Sequence, residues 1–240
     1  MNPFLESILA AGRMVAAGDA QLFSIVGLSL RVSALACAIA TALGLLAGAG
    51  LAVWRFPGRG ALLVVLNTLL ALPSVVVGLV VYLLLSRAGP LGPLGILFTP
   101  SAMVVAQTIL ILPIVAALSR QIVADALLDH GDQLRSLGAG PLASALIIAW
   151  DERMALLTLA LVAFGRAVSE VGAVMIVGGN IAGVTRVMTT AIALETSKGD
   201  LPLALALGLL LLGVVLLLNT LIALLRGVSV RAHEHVGAAS

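Results

Sequence analysis

An arginine and a glutamate four residues apart, Arg166 and Glu170, stand inside a stretch otherwise built from Ala, Leu, Val, Phe, Gly and Ser. Helical spacing places them on one face of a spanning helix. A charge at the centre of a bilayer costs roughly 2.5–3.5 kcal/mol to insert, and an ion pair offsets part of that. Gly165, Ala167, Ser169, Gly172 and Ala173 surround the pair with little bulk. Two roles are open to it: lining or gating a polar path, or clamping helices together without meeting solute. Just beyond, Asn180, Thr185, Arg186, Thr189 and Thr190 offer amide, hydroxyl and guanidinium donors, as a solvated interfacial loop also would. Glu195, Lys198 and Asp200 read as ordinary surface charges.

A second group of residues lies in the only long polar interruption of the chain, residues 120–153. Asp132-Gln133-Leu134-Arg135-Ser136-Leu137-Gly138 reads as a short amphipathic helix ended by glycine, before a Gly140-Pro141 break and a new apolar helix from Leu142. A helix that stops at glycine and turns back makes a compact knob, and two readings are open to it: a surface that docks another protein, or an ordinary charged linker. Other chemistry is missing. No GxxxxGK[ST] phosphate loop occurs, and Lys198, the only lysine, sits in ETSKGD without the required glycine. His130, His233 and His235 fall outside the apolar segments, so no Ser/His pair is placed for nucleophilic catalysis in a membrane, and His-x-His alone is too little for a metal site. Cys37 is the single cysteine and reads as a small buried apolar residue.

The elements that must position these groups are set by composition. With 61% hydrophobic and 10% charged residues and a mean hydropathy of +1.21, the chain has too little polar surface for a water-soluble domain. Only 3% of residues are aromatic, which suits close packing of helices through small side chains and not a barrel with aromatic girdles. The net charge of +2 is scattered, so nucleic acid is not an expected partner. The expected fold is all-α, with five transmembrane helices near residues 25–53, 61–85, 101–118, 154–177 and 201–225. The shortest, 101–118, still falls within the range of about 17–25 residues that a hydrocarbon core requires. Residues 1–21 form an N-terminal interfacial helix, 22–226 the transmembrane domain with its loop at 120–153, and 227–240 a tail. Arg55, Arg59, Arg120, Arg135, Arg153, Arg226 and Arg231 lie on one side; Arg13, Arg87, Arg186 and Lys198 lie on the other. Basic residues favour the cytoplasm, which puts the long loop and C-terminus inside and the N-terminus outside.

The knob resembles a loop of the permease subunits of ABC importers, which carry an acidic residue, two alanines, three further residues and a glycine. Asp132 stands for the acid and Gly138 for the glycine, while Gln133 and Leu134 replace the alanines and Ile148-Ala149-Trp150-Asp151 replaces the usual Ile-x-Leu-Pro ending. The stretch from Phe164 to Gly208 and the run Ala71 to Leu79 are similar to the oxyanion branch of these permeases, most closely the tungstate type. The resemblance covers the chain from Gln21 to Arg226. It implies a homodimeric pore in a prokaryotic cell membrane and no cofactor in this subunit. ATP would be bound by separate P-loop ATPase subunits contacted through Asp132, Arg135 and Gly138, and an extracytoplasmic binding protein would deliver tungstate, molybdate or sulfate. Arg166, Glu170, Asn180, Thr185 and Arg186 then become candidates for the path or gate, since a tetrahedral dianion needs such donors. An ion-coupled secondary transporter using Arg166 and Glu170 is the alternative; it would usually show paired internal repeats, and none is evident.

Overall fold

The computed structural model describes the backbone of residues 3–237 and the side chains of residues 8–224, and every regular element among them is helical. In chain order these are α1 (Pro3–Ala16), α2 (Ala20–Val53), α3 (Arg59–Leu69) and α4 (Ser74–Leu85). After a 3-10 turn at Gly92–Leu94 come α5 (Pro100–Ser136), α6 (Pro141–Asp151), α7 (Arg153–Val168), α8 (Gly172–Gly178), α9 (Met188–Lys198) and α10 (Leu201–Gly237). The side chains of residues 1–7 in the expected interfacial helix, and those of Arg226, Arg231, His233 and His235, lie outside the described residues.

Three helices are long and apolar enough to cross a membrane, Ala20–Val53, Pro100–Ser136 and Leu201–Leu224, and two broken pairs bring the number to five if each pair counts as one span. The breaks correct the sequence reading. The expected span at 61–85 is interrupted between Leu69 and Ser74, because Pro73 has no N–H to donate and disfavours helix in the residue before it. The expected span at 154–177 stops at Val168 and restarts at Gly172, so Glu170 lies in the gap and does not share a helix with Arg166. Conversely, the expected loop at 120–153 is almost entirely helix. Nothing between Ser119 and Ser136 breaks the pattern except an isolated Gly131, so α5 runs on through Pro113 to Ser136 as a single helix.

The chain divides into two compact units. The first comprises Met1–Cys37, Pro73–Leu110 and Gly165–Leu216. Asp19 opens α2 by accepting the Leu22 N–H at 2.8 Å, a helix cap. Here α4 and α8 approach until backbones nearly touch: a Cβ on Gly78 would lie 2.8 Å from the Ala173 Cα, and one on Gly172 would lie 2.8 Å from the Ser74 hydroxyl. Val77, Val81, Ala173, Val174 and Val177 bury the remaining surface.

The second unit comprises Ala38–Leu72, Ile111–Phe164 and Leu217–Ser240. Its close contact joins α2 and α5. Gly44 and Gly48, four residues apart, present a smooth helix face on which Val115 and Ser119 rest. The Ser119 hydroxyl donates to the Gly44 carbonyl at 3.3 Å. Farther along, Val123, Ala126 and Ile148 form a core cluster with Ala49, Ala52, Leu127 and Leu134 packed against it, which fastens α6 to α5.

Filling this contact tests it. In Gly48→Ala the new methyl would meet the Ala116 carbonyl at 2.6 Å and the Arg120 N at 2.8 Å, besides the Ser119 hydroxyl. Overpacking of this kind costs about 1–3 kcal/mol, so the variant should unfold at lower temperature in detergent. Gly27→Ala, whose methyl meets nothing within 4 Å, should not.

Candidate functional site

Interrupting a helix inside a lipid-facing protein frees backbone groups that must find other partners. At the α7/α8 gap those partners are side chains. Gln107, buried in α5, donates its Nε2 to the Ala167 carbonyl at 2.9 Å, and the Thr189 hydroxyl, from α9, donates to the Glu170 carbonyl at 2.7 Å. The Glu170 carboxylate is held from both sides. Its Oε2 accepts from Arg166 Nη1 at 2.8 Å and its Oε1 accepts from the Ala173 N–H at 3.3 Å, at the start of α8.

The two members of the ion pair differ in exposure. The Glu170 side chain is 4% exposed and the Arg166 side chain 48%. A guanidinium carries five donors, more than the pair consumes, so Arg166 is an oriented cation with hydrogen-bonding capacity left over. Glu170 acts on the backbone and on Arg166 rather than outward.

Asn180, Thr185 and Arg186 follow in the segment between α8 and α9. Thr185 is fully buried; its hydroxyl donates to the Gly178 carbonyl at 2.6 Å and accepts from the Ile181 N–H at 2.9 Å, which closes the segment on itself. Asn180 has φ of 51°, in the left-handed region, and its Nδ2 donates to the Thr190 carbonyl at 3.2 Å. Arg186 faces Glu195, Nη1 to Oε1 3.6 Å, close enough for an ion pair.

Glu195 is the residue that the sequence reading missed. It is not a surface charge: its side chain is 7% exposed, and its Oε1 is shared between Arg186 and Lys198 Nζ at 3.1 Å. The available signal was helical position. Glu195 falls four residues after Ala191 on the buried face of α9.

The third group is brought together at the end of α5. Arg135 pairs with Asp132 one turn earlier, with both side chains largely exposed. Gly138 takes φ of +79° and donates to the Arg135 carbonyl at 3.0 Å, while the Ala139 N–H reaches back to Leu134 at 2.9 Å, a glycine-terminated helix end. Leu142, Leu146 and Trp150 recur every four residues on α6 and are 63%, 65% and 74% exposed, so α6 presents an uncovered apolar stripe beside the knob. Among the described residues, no group of three or more His, Cys, Asp or Glu is placed to hold a metal ion.

No family model matches the chain. Among curated proteins it is similar to the tungstate uptake system permease protein TupB of Peptoclostridium acidaminophilum, 40% identical over 226 residues that cover 92% of this chain and 97% of that one. It is 43% identical over 216 residues to a probable anion ABC transporter permease protein of Haloferax volcanii, covering 87% of this chain and 93% of the relative. A more distant relative is a putative molybdenum transport system permease protein of Bacillus subtilis, 29% identical over 194 residues, covering 77% of this chain and 85% of the relative.

The geometry separates residues that hold the site from the residue that faces out of it. Thr185→Val removes the hydroxyl from the buried Gly178 carbonyl and from the Ile181 N–H together, a loss of about 1–3 kcal/mol. Arg166→Lys, which keeps a cation beside the buried Glu170 carboxylate, should lower the unfolding temperature in detergent by clearly less. An unchanged midpoint for Thr185→Val would contradict the locking role.

Proposed function

The chain belongs to the permease proteins of ABC transporters that move oxyanions, and from that membership we propose that it is the pore-forming subunit of an ATP-driven tungstate importer. Molybdate and sulfate are the related cargoes. The observation that carries the proposal is the likeness to a tungstate permease along nearly the whole length of both chains. The sequence has no phosphate-binding loop of its own, so the energy comes from separate ATPase subunits.

Two copies of this permease form the pore, and the knob at Asp132, Arg135 and Gly138 receives the ATPase. Three properties support that assignment: exposed charges at the helix end, a fixed glycine turn, and the apolar stripe of Leu142, Leu146 and Trp150 next to them. The five-span arrangement with the N-terminus outside is supported by the basic residues at Arg55, Arg59, Arg120, Arg135 and Arg153. Solute arrives from an extracytoplasmic binding protein and passes Arg166, whose donors suit a tetrahedral dianion while Glu170 keeps the guanidinium in place. Asn180, Thr185 and Arg186 shape the segment beside this gate. ATP-driven movement of the knobs shifts the pore between inward-open and outward-open states.

Affinity capture of the chain in mild detergent should bring a P-loop ATPase with it. Gly138→Val places a β-branched residue where φ is +79°, which distorts the knob; membrane insertion should persist, while ATP-dependent tungstate uptake falls to background. Uptake at the wild-type rate would remove the docking role. Arg166→Gln with Glu170→Gln should reduce uptake more than it weakens the dimer; the opposite ranking would make the pair a clamp.

A further inference from the structure

A cavity of about 1040 Å³ opens in the second unit, where the end of α2, the turn into α3, the later part of α5 and the start of α6 meet. Its charged lining is Arg55, Arg59, Arg120 and Arg135 against one acid, Asp125. Such an excess of one sign in a concave, partly apolar site focuses the field on whatever enters.

Two of these arginines are prepared for a ligand. Arg59 donates its Nε to the Leu51 carbonyl at 2.7 Å, which fixes the plane of the guanidinium and leaves its two terminal amino groups at the far end. Arg120 lines the same cavity, and its Nε is buried with no hydrogen-bond partner among the described residues, an unusual state for a charged side chain. Arg135 is already engaged by Asp132 and Arg55 is exposed, so Arg59 and Arg120 are the principal pair. The cavity is much larger than one small ion, and Trp54 and Leu128 give it an apolar wall.

We propose that this cavity binds a phosphate-type tetrahedral oxyanion group, with Arg59 and Arg120 donating to its oxygens. Planar paired donors match such oxygens. The group reaches the cavity in one of two ways: as a free oxyanion, or as the phosphate of an anionic phospholipid whose apolar body lies along Trp54 and Leu128. The site uses none of the residues assigned to the translocation path and does not depend on that reading.

The test uses the full-length chain, purified and stripped of lipid. One arm measures binding of inorganic phosphate and tungstate by calorimetry; the other adds phosphatidylglycerol back to the stripped chain and measures its retention by native mass spectrometry. Both are repeated with Arg59→Gln, Arg120→Gln and the control Arg13→Gln. Losing a charge-assisted hydrogen bond should weaken binding about tenfold per arginine, with Arg13→Gln unchanged. Loss of phosphatidylglycerol retention in the two variants supports the site with lipid as its source; loss of phosphate or tungstate binding supports it with a free anion as its source. Elution as a single monodisperse species shows that each variant is folded; should Arg120→Gln fail this, Arg59→Gln and Arg55→Gln carry the comparison. Wild-type chain that binds neither probe, or variants that bind as well as wild type, overturn the proposal. So does a result in which the variants lose only a co-purifying ATPase subunit, since the arginines would then be receiving acidic side chains.

Discussion

Lipid offers no hydrogen bonds, and this constraint governs how the chain is built. Unbroken helices meet it internally. The α7/α8 gap cannot, and each of its identified solutions is a polar side chain at an otherwise apolar position: Gln107 to Ala167, Thr189 to Glu170, and the Glu170 carboxylate to Ala173. Placing a fixed carboxylate and an oriented guanidinium in the membrane domain is thus partly a by-product of supporting a broken helix. The Glu170 carboxylate that accepts the Ala173 N–H also holds the Arg166 cation.

A second, cheaper device is the removal of side chains. Gly44 and Gly48 on α2, and Gly78 and Gly172 in the first unit, bring backbones together where lipid-facing helices gain little from burying apolar surface. Aromatic residues are correspondingly few, and the tilted pair of Tyr82 and Phe98, with ring centroids 6.1 Å apart, is an exception that anchors the segment before α5.

The all-helical class and its membrane character were legible in composition alone, since apolar runs of this length have one outcome. The C-terminal end of α2 at Val53 and the start of α5 at Pro100 fell within a residue of the expected span limits, whereas α2 began five residues before its expected start. Continuity was not legible. Polarity marked 120–153 as a loop, but polar residues are good helix formers, and the helix ran on until Gly138 supplied a left-handed turn. The gap at Glu170 was hidden for the opposite reason: no proline or paired glycine announces it, and it is held by Gln107 and Thr189, residues distant in sequence. The ion pair of Arg166 and Glu170 was readable from spacing, though across a helix end rather than along a helix. Glu195 was misread because its neighbours Lys198 and Asp200 look like a solvated run, whereas its own position on α9 faces inward.

The uninterrupted course of α5 has a mechanical meaning. The amide of Gln107 that holds the helix gap and the Asp132–Arg135 pair at the knob sit on a single element, Pro100–Ser136, with no loop between them. Its compliance is concentrated at Pro113, where one rung of the hydrogen-bond ladder is absent. Pro113 is thus the interior position of α5 at which the helix forgoes a backbone donor and still continues.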